Sequence, residues 1–513
     1  MKLCFQIRSF FVPNFYFLHI VGVGRVFVQL VDLLKDWPCI VKGSIQINIE
    51  SITEIIDDVR KNTLFFARKG SMQNNLDYVE DVLEKGATCI VVEDEQFFRK
   101  FTCEATIVWV PNILKMMAYT AAAFYQFPSE ALKVIAVTGT NGKTTVTHFI
   151  DQLLRKLNKK TLLIGTNGLF ENGEKVNNGS LTTLPALSFQ KLLFEAAEKN
   201  IEYCITEASS QGLATYRLDY TTVSVGAFLN LGEDHLDWHG STENYKQAKL
   251  KLTSLSDTLV VNEGDPFCRA IGVISKKETI FYGNNPKCTV FYDVINSSPQ
   301  AVSYLIQYKE ERVVCTFPFR EYYNIENALA AISVCLKMGF SLKELADCCQ
   351  FLKLPEGRAQ TFSHPQGFTV VIDYAHTPEA LFSLLKAMKD TNPGKIILVF
   401  SCGGNRDQGK RKKMGAVASE YADIIVLTSD NSRDEDPEKI NEQIITGFRD
   451  LQLYDIQIDR TTAIKQAFTY ASQGDIVVVA GKGHESTQTV NNKTHYFKDA
   501  EVVQSLLEKE EST

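Results

Sequence analysis

From about Leu30 onward the chain alternates short apolar runs with stretches whose apolar residues recur at helical spacing. Thr88-Cys89-Ile90-Val91-Val92-Glu93 predicts a buried strand. Residues 113–127 predict a helix that must stop before Pro128, because a residue ahead of proline is driven out of the α region. Pro128-Ser129-Glu130 then reads as a linker. A second block opens with the strand Lys133-Val134-Ile135-Ala136-Val137-Thr138 and runs on through Tyr203-Cys204-Ile205-Thr206 and residues 223–229, with helical stretches between. Leu354-Pro355-Glu356-Gly357 marks another boundary, beyond which residues 368–372, 395–400, 424–428 and 476–480 are four further apolar runs. Runs that are apolar at every position belong to parallel strands covered on both faces. The pattern predicts an α/β protein of three domains, the last two doubly wound, without a solenoid repeat.

Composition narrows the classes of partner. The 513 residues carry 54 Lys and Arg against 61 Asp and Glu, a net charge of −7, with 45% hydrophobic and 22% charged residues. That is ordinary globular composition, so extensive disorder is excluded. No Lys/Arg-dense stripe makes an electrostatic case for nucleic acid. Metal ions and small phosphorylated ligands are the expected charged partners. The twelve cysteines show no zinc spacing and no disulfide framework, which fits reduced thiols in a cytoplasmic protein. Residues 10–24 are apolar but interrupted by Pro13, Asn14 and His19. The run is too short to span a bilayer and lacks a clean signal-peptide centre. Residues 1–29 are therefore expected to be an extension outside the fold, without stable membrane insertion.

The most informative segment is Gly139-Thr140-Asn141-Gly142-Lys143-Thr144-Thr145. A strand feeds it, and a helix leaves it with Val146, Phe149, Ile150, Leu153, Leu154 and Leu157 along one face. Strand, glycine turn and helix start together make an anion site. Glycines permit the tight turn, free N–H groups point at phosphate oxygens, and the helix dipole favours negative charge. Lys143 can neutralise terminal phosphates, and the Thr144 hydroxyl can ligate Mg²⁺. Val137 stands where the longer phosphate-loop pattern has its first glycine, so this is a shortened variant.

Seven more segments accompany the loop: Glu207-Ala208-Ser209-Ser210, Asn230-Leu231-Gly232-Glu233-Asp234-His235-Leu236-Asp237, Tyr245-Lys246-Gln247-Ala248-Lys249, Asn324-Ile325-Glu326-Asn327-Ala328-Leu329-Ala330-Ala331, Gly357-Arg358, Asp373-Tyr374-Ala375-His376-Thr377-Pro378, and Gly403-Gly404-Asn405-Arg406-Asp407. In this order and spacing the chain resembles the Mur ligases, ATP-dependent amide-forming enzymes of peptidoglycan precursor synthesis, most strongly the branch that adds the third amino acid. The resemblance runs from about Leu30 to the end. It implies a uridine-substrate domain over residues 30–130, a central P-loop ATPase domain with a mostly parallel sheet over 131–353, and a C-terminal Rossmann-like domain over 354–513.

The same resemblance implies the chemistry. The γ-phosphate of ATP passes to the D-glutamate carboxylate of UDP-N-acetylmuramoyl-L-alanyl-D-glutamate, and the amine of meso-diaminopimelate then attacks the acyl phosphate. Crowded anionic oxygens must be offset by cations. By resemblance, Thr144, Glu207 and His235 help hold Mg²⁺, and Lys249 takes up CO₂ to become a carbamate. Asn327 lies on the adenine side of ATP, Arg358 reaches its phosphate and Asp373 its ribose. The UDP-substrate positions fall on Thr182, Thr183, Ser209, Thr215 and Arg217. Thr215 replaces a commoner Gln, Leu184 a commoner Pro or Gly, and Ile55-Ile56-Asp57 stands where relatives carry Asp-Ser-Arg. The amino-acid positions are Arg406, Asp430, Asn431, Ser432, Arg433, Gly481 and Glu485. Arg433 would pair with the distal carboxylate of diaminopimelate and Glu485 with its distal ammonium, while Ser432, in place of Pro, loosens the loop. A cytoplasmic monomer is expected. A lysine-adding or folylpolyglutamate-type ligase, or a non-catalytic nucleotide-binding scaffold, is the alternative.

Overall fold

The apolar runs become buried strands, and what they lacked in alternation is explained by helices on both sides. The computed structural model describes residues 27–35, 37–70, 74–177, 181–297, 302–391 and 394–511. The apolar run at residues 10–24 lies outside the described residues. Two compact units are formed: residues up to Val134 with Thr183–Glu202 and Gln211–Val223, and a larger unit of Ile135–Thr182, Tyr203–Ser210 and Ser224–Thr513.

In the first unit five strands lie in the order Ile40–Lys42, Thr106–Trp109, Ala87–Val92, Thr63–Ala67, Ser51–Thr53. The last four are mutually parallel, and Ile40–Lys42 closes one edge antiparallel. The helix Ile113–Phe124 packs on Ala186–Glu198. It stops three residues before the position read from the sequence: Gln126 and Phe127 adopt positive φ (59° and 50°), and Pro128–Glu130 turns as a short 3₁₀ segment.

Among the described residues the larger unit carries two large sheets and the small hairpin Thr487–Val490 with Lys493–Tyr496. One has eleven strands, with Lys133–Thr138 between Tyr203–Glu207 and Val223–Phe228. The helix Lys143–Lys156 leaves the turn after Lys133–Thr138, with Val146, Phe149, Ile150, Leu153 and Leu154 fully buried. Each contributes roughly 1.5–3 kcal/mol by leaving water, enough to fix the helix start against the sheet. Leu157 is the C-cap rather than a helical position.

The second sheet has six strands, in the order Gln360–Ser363, Thr369–Asp373, Ile476–Ala480, Ile396–Phe400, Ile424–Leu427, Leu453–Ile456. All are parallel except the first, an antiparallel edge. Strand ends at the C-terminal edge of a parallel sheet are where ligands bind in α/β folds. They here deliver Asp373, Ser401-Cys402-Gly403, Asp430 and Gly481.

Several strands lie outside the apolar-run reading: the hairpin Gly168–Glu171 and Glu174–Asn177, the antiparallel Val290–Ser297, Val302–Tyr308 and Glu311–Phe317, and the edge strand Leu453–Ile456. Glu174–Asn177 is exposed along its length, and Val302–Tyr308 is buried only at alternate positions, so neither makes a continuous apolar run.

One ion pair holds the last helix. Arg460 and Asp499 are fully buried and meet fork to fork, Nε to Oδ1 at 2.7 Å and Nη2 to Oδ2 at 2.8 Å, while Nη2 also donates to the Ala480 carbonyl at 3.0 Å. Removing one partner strands the other charge in the interior, so Asp499→Ala should cost about 3–5 kcal/mol. Urea unfolding followed by fluorescence checks this; a loss below about 1 kcal/mol would contradict it.

Candidate active site

The phosphate loop is held by backbone and amide contacts that need small residues. Gly142 sits at φ 90° as the N-cap of Lys143–Lys156, and a methyl group there would lie 2.4 Å from Asn327 Oδ1. Asn141 N–H donates to Asn230 Oδ1 at 2.9 Å, and Asn230 Nδ2 returns a bond to the Asn141 carbonyl at 3.1 Å. Thr140 Oγ1 accepts from Gly232 N–H at 2.8 Å and lies 3.0 Å from Tyr245 Oη. The segment beginning Asn230-Leu231-Gly232 thus clamps the loop from the neighbouring strand end, as Thr145 is buried beneath it.

Two cations converge on one acceptor. Lys143 Nζ donates to the carbonyls of Gly139 at 2.8 Å and Thr140 at 3.0 Å, and Lys249 Nζ donates to the same Gly139 oxygen at 2.8 Å. Lys249 is 1% exposed and its ammonium lies 4.7 Å from the Tyr245 ring centroid. Burial first, and then the Lys143 charge, push the Lys249 amine well below its ordinary range. Burial also lowers Lys143, against the raising influence of Glu207 and Asp234.

Glu207, 1% exposed, ends the adjacent strand Tyr203–Glu207. Its Oε1 accepts from Thr144 Oγ1 at 3.0 Å and Thr166 N–H at 2.8 Å, and its Oε2 accepts from Thr166 Oγ1 at 3.1 Å. Thr166 Oγ1 also bonds Thr182 Oγ1 at 3.1 Å. Arg358 Nη2 donates to Thr144 Oγ1 at 3.2 Å, and its guanidinium stacks 4.6 Å from the Tyr374 ring centroid. Lys143, Thr144, Glu207, Lys249 and Arg358 are therefore one cluster. Asn327 joins it through Gly142.

His235 sits at the left-handed φ of 54°, with Nε2 3.3 Å from Asp234 Oδ2. The same carboxylate oxygen lies 3.7 Å from His376 Nε2. Burial and the neighbouring Lys143 push His235 down to about 4, with Asp234 opposing, so the imidazole is neutral near pH 7. Burial is the largest influence on Asp234 and acts to raise it, but the hydrogen bond and charge of His376 with the His235 and Lys410 charges together outweigh it and hold the carboxyl below its ordinary range. Among the described residues no three His, Cys, Asp or Glu side chains form a ready-made metal cage. Magnesium does not require one, since it keeps several waters and binds through one or two carboxylates plus substrate phosphates. The buried Thr144 hydroxyl beside Glu207 fits that requirement.

Asp373 is buried, with Oδ2 accepting from Ala359 N–H at 2.7 Å and Oδ1 from Ala375 N–H at 2.8 Å. Each oxygen retains a second lone pair for a hydroxyl. Burial raises its pKa, with the Arg358 charge opposing. Of the UDP-substrate positions, Thr182 and Ser209 belong to the larger unit, and Thr183, Thr215 and Arg217 to the smaller. Arg217 Nη1 donates to the Thr183 carbonyl at 2.6 Å, and the Thr215 hydroxyl returns to the Gln211 carbonyl of its own turn at 2.7 Å.

The amino-acid positions form a second cluster at the strand ends of the six-stranded sheet. Arg433 Nη1 donates to the Gly404 carbonyl at 2.6 Å and the Asn431 carbonyl at 3.3 Å. Burial, and then the nearby Arg406 charge, lower the Arg433 pKa. Arg406 itself reaches Asp237 Oδ2 at 3.6 Å. Glu485 Oε2 accepts from Asn431 Nδ2 at 2.8 Å and from Lys482 Nζ at 2.8 Å. Glu485 is therefore already partnered by a buried lysine, which sequence reasoning did not place in the site. Asp430 is buried near Lys482 and Arg460, and Gly481 at φ 109° leaves room for its carboxylate, 2.8 Å from where a methyl would be. Ser432 is fully buried, with its N–H on the Asp430 carbonyl at 3.0 Å and its own carbonyl packed against Gly404.

Sequence reasoning also passed over Thr166, Tyr245 and His376 as site residues. Asp234, Tyr245 and His376 stood inside quoted motifs, which was the available signal. Thr166 carried none.

Fold and site define a phosphate-handling α/β enzyme that brings a nucleotide loop, a buried carboxylate and two clusters of basic side chains together. Residues 137–335 match the Mur ligase middle domain, and residues 357–483 match the Mur ligase, glutamate ligase domain. Over 490 residues the chain is 34% identical to the UDP-N-acetylmuramoyl-L-alanyl-D-glutamate--2,6-diaminopimelate ligase of Clostridioides difficile, covering 94% of this chain and 100% of that one. It is 35% identical over 463 residues to the protein of the same name from Aquifex aeolicus, covering 90% and 94%. A solved structure of a ligase of that name aligns with a TM-score of 0.65 at 28% identity, covering 95% of this chain and 100% of the other. MurF from Acinetobacter baumannii shares the fold, with a TM-score of 0.66 at 18% identity over 94% of this chain and 98% of its own. The chain belongs to the Mur ligase family, whose members are ATP-dependent, amide-bond-forming ligases.

The geometry around Glu207 gives a direct test. A methyl group on Gly165 would lie 2.3 Å from Glu207 Oε1. Gly165→Ala should therefore displace the carboxylate and lower kcat by about 10²-fold, the cost of a misplacement of about 1 Å. Steady-state phosphate release, with circular dichroism as the folding control, checks it.

Proposed function

We propose that this enzyme joins meso-diaminopimelate to the D-glutamate carboxyl of UDP-N-acetylmuramoyl-L-alanyl-D-glutamate, converting ATP to ADP and phosphate, in peptidoglycan precursor synthesis. Similarity over nearly the whole chain to ligases of that name supports the reading. The observation that carries it is Arg433, half-buried beside Arg406 on a loop whose other members, Asp430 and Asn431, contact or neighbour the Lys482–Glu485 pair. Two neighbouring guanidinium groups are suited to a carboxylate, and lysine offers none at its distal end. A site built around such a pair rejects an analogue lacking the group far better than an apolar pocket does.

The assigned roles are those the family resemblance implies, and the contacts are compatible with them. Lys143 exchanges its carbonyl partners for phosphate oxygens of ATP, with the N–H groups of residues 139–145 around them. Arg358 supplies a planar fork to the same phosphates. Asn327 takes the adenine side and Asp373 the ribose. Thr144 and Glu207, with His235 nearby, would hold Mg²⁺, which offsets the charge of the transferring phosphoryl group. Thr182, Thr183, Ser209, Thr215 and Arg217 receive the UDP substrate, whose phosphates and carboxylates suit hydroxyls and a guanidinium. Exclusion of water preserves the acyl phosphate until the amine arrives.

Lys249 completes the set as a carbamate. A buried lysine sharing a carbonyl with another lysine is a repulsive arrangement; once the ammonium has lost one proton, the neutral amine can bond to the carbon of CO₂ and release a second proton, leaving a carbamate anion where the positive charge stood. Residues 30–130 are assigned to the UDP substrate, 131–353 to ATP, and 354–513 to the amino acid and, through Arg358 and Asp373, to ATP. No helix among the described residues is long and apolar enough to cross a membrane. We place the reaction in the cytoplasm, the compartment of ATP, with the chain acting as a monomer.

Phosphate release measured with ATP, Mg²⁺ and the UDP-muramoyl dipeptide should depend on diaminopimelate and be weak with lysine or no amine. Equal use of lysine and diaminopimelate overturns the substrate assignment. Arg433→Ala should lose diaminopimelate incorporation by on the order of 10²-fold or more while ADP binding, read by calorimetry, changes little. Lys249→Ala should lose most activity and regain part of it with a small carboxylate such as formate. Full activity without rescue would remove the carbamate.

A further inference from the structure

Behind the amino-acid cluster lies an ion pair, with its arginine buried and its glutamate half-buried, that neither the motifs nor the roles above use. Arg411, on the helix Gly409–Tyr421, is completely buried. Its fork meets Glu435, Nη1 to Oε2 at 2.8 Å and Nη2 to Oε1 at 2.9 Å. Nη1 also donates to Gln443 Oε1 at 2.9 Å and Nη2 to the Gly403 carbonyl at 3.3 Å. Glu435 in turn accepts from the Asn405 N–H, and its own N–H donates to the Ser432 carbonyl at 3.0 Å. The hydrogen bond from Arg411 holds the Glu435 carboxyl below its ordinary range.

These contacts lock two loops to each other. One, Gly403-Gly404-Asn405-Arg406, presents Arg406; the other, residues 430–435, presents Asn431 and Arg433. Gly404 N–H donates to the Asn431 carbonyl at 2.9 Å, and a methyl on Gly404 would stand 1.9 Å from the Ser432 carbonyl oxygen. Asn405 Nδ2 reaches Asp434 Oδ2 at 2.8 Å. Arg411 alone bonds to one loop through Gly403 and to the other through Glu435. A bidentate charge-assisted pair fixes direction as well as distance, and a site must be held by supporting contacts of this kind to keep its geometry.

We propose that Arg411 and Glu435 are positioning residues for amino-acid selection: their bidentate pair sets the spacing of Arg406 and Arg433, and so the fit of the second carboxylate of the incoming diamino diacid. This rests on the amino-acid role given above to Arg433. A general stabilising pair would lower all activities together, whereas a positioning pair acts on the amino acid and spares the nucleotide.

The test is Glu435→Gln, which keeps the shape and one acceptor oxygen, with Arg411→Lys as a second variant. For each, the KM for diaminopimelate, the KM for ATP, kcat and the diaminopimelate-to-lysine preference are measured, and ADP binding by calorimetry reports the folded fraction. We expect the diaminopimelate KM to rise by about tenfold to 10²-fold, the preference to fall, and ADP binding to stay within about twofold. Combined with Arg433→Ala, Glu435→Gln should add little, because residues acting through one group are not additive. An unchanged diaminopimelate KM and preference in both variants, while Arg433→Ala loses them, overturns the role of the pair alone. So does a uniform fall in all parameters matching lost ADP binding, or full additivity with Arg433→Ala. If Arg433→Ala itself keeps the diaminopimelate KM, the reading of the amino-acid site fails and the proposal with it.

Discussion

Two lysine side chains around the Gly139 carbonyl oxygen, the half-buried Lys143 and the buried Lys249, each 2.8 Å away, set the terms for everything else in the larger unit. Such an arrangement is costly by itself, because burial disfavours each charge and the pair repels. It becomes favourable when phosphate oxygens take up the Lys143 ammonium and Lys249 is held as the proposed carbamate. Glu207 balances the cluster from the next strand, and Arg358 extends it from beyond the boundary at Gly357. The protein therefore stores an unmet demand for negative charge where its chemistry concentrates anionic oxygens, the preorganisation that stabilises such reactions.

The fold makes this possible by stacking strand ends. Lys133–Thr138 lies between Tyr203–Glu207 and Val223–Phe228, so the phosphate loop, Glu207 and Asn230 emerge side by side. The six-stranded sheet repeats the device with different residues. Its strand ends carry Asp373, the Gly403–Arg406 turn, Asp430 and Gly481, and two bidentate pairs behind them, the buried Arg460–Asp499 and Arg411–Glu435 with its arginine buried, keep those ends in register. Polar groups at the front are available for ligands because polar groups at the back satisfy one another.

Small residues are spent where backbone or carboxylate must come close. Gly165 makes room for Glu207, and Gly357, at φ 70°, lies where a methyl would stand 2.0 Å from the His484 nitrogen. The second contact ties the segment carrying Arg358 to the loop that carries Lys482 and Glu485. Nucleotide and amino-acid clusters are thereby coupled through backbone contact inside one unit.

Continuous apolar runs determined the parallel strands, because a strand covered on both faces must be apolar at every position. The Gly139–Thr145 segment likewise determined an anion site, since a glycine turn between a strand and an amphipathic helix has few other uses. Exposed and half-exposed strands such as Glu174–Asn177 left no such trace, as solvent accepts any polar residue there. Tertiary structure alone decided that Thr166 would bond Glu207, that Lys249 would be buried rather than solvated, and that Lys482 would take Glu485. It also decided that Ser432 would be fully buried. Those outcomes depend on which side chains from distant segments reach the same few ångströms, a three-dimensional property that residue order along one strand or helix does not carry.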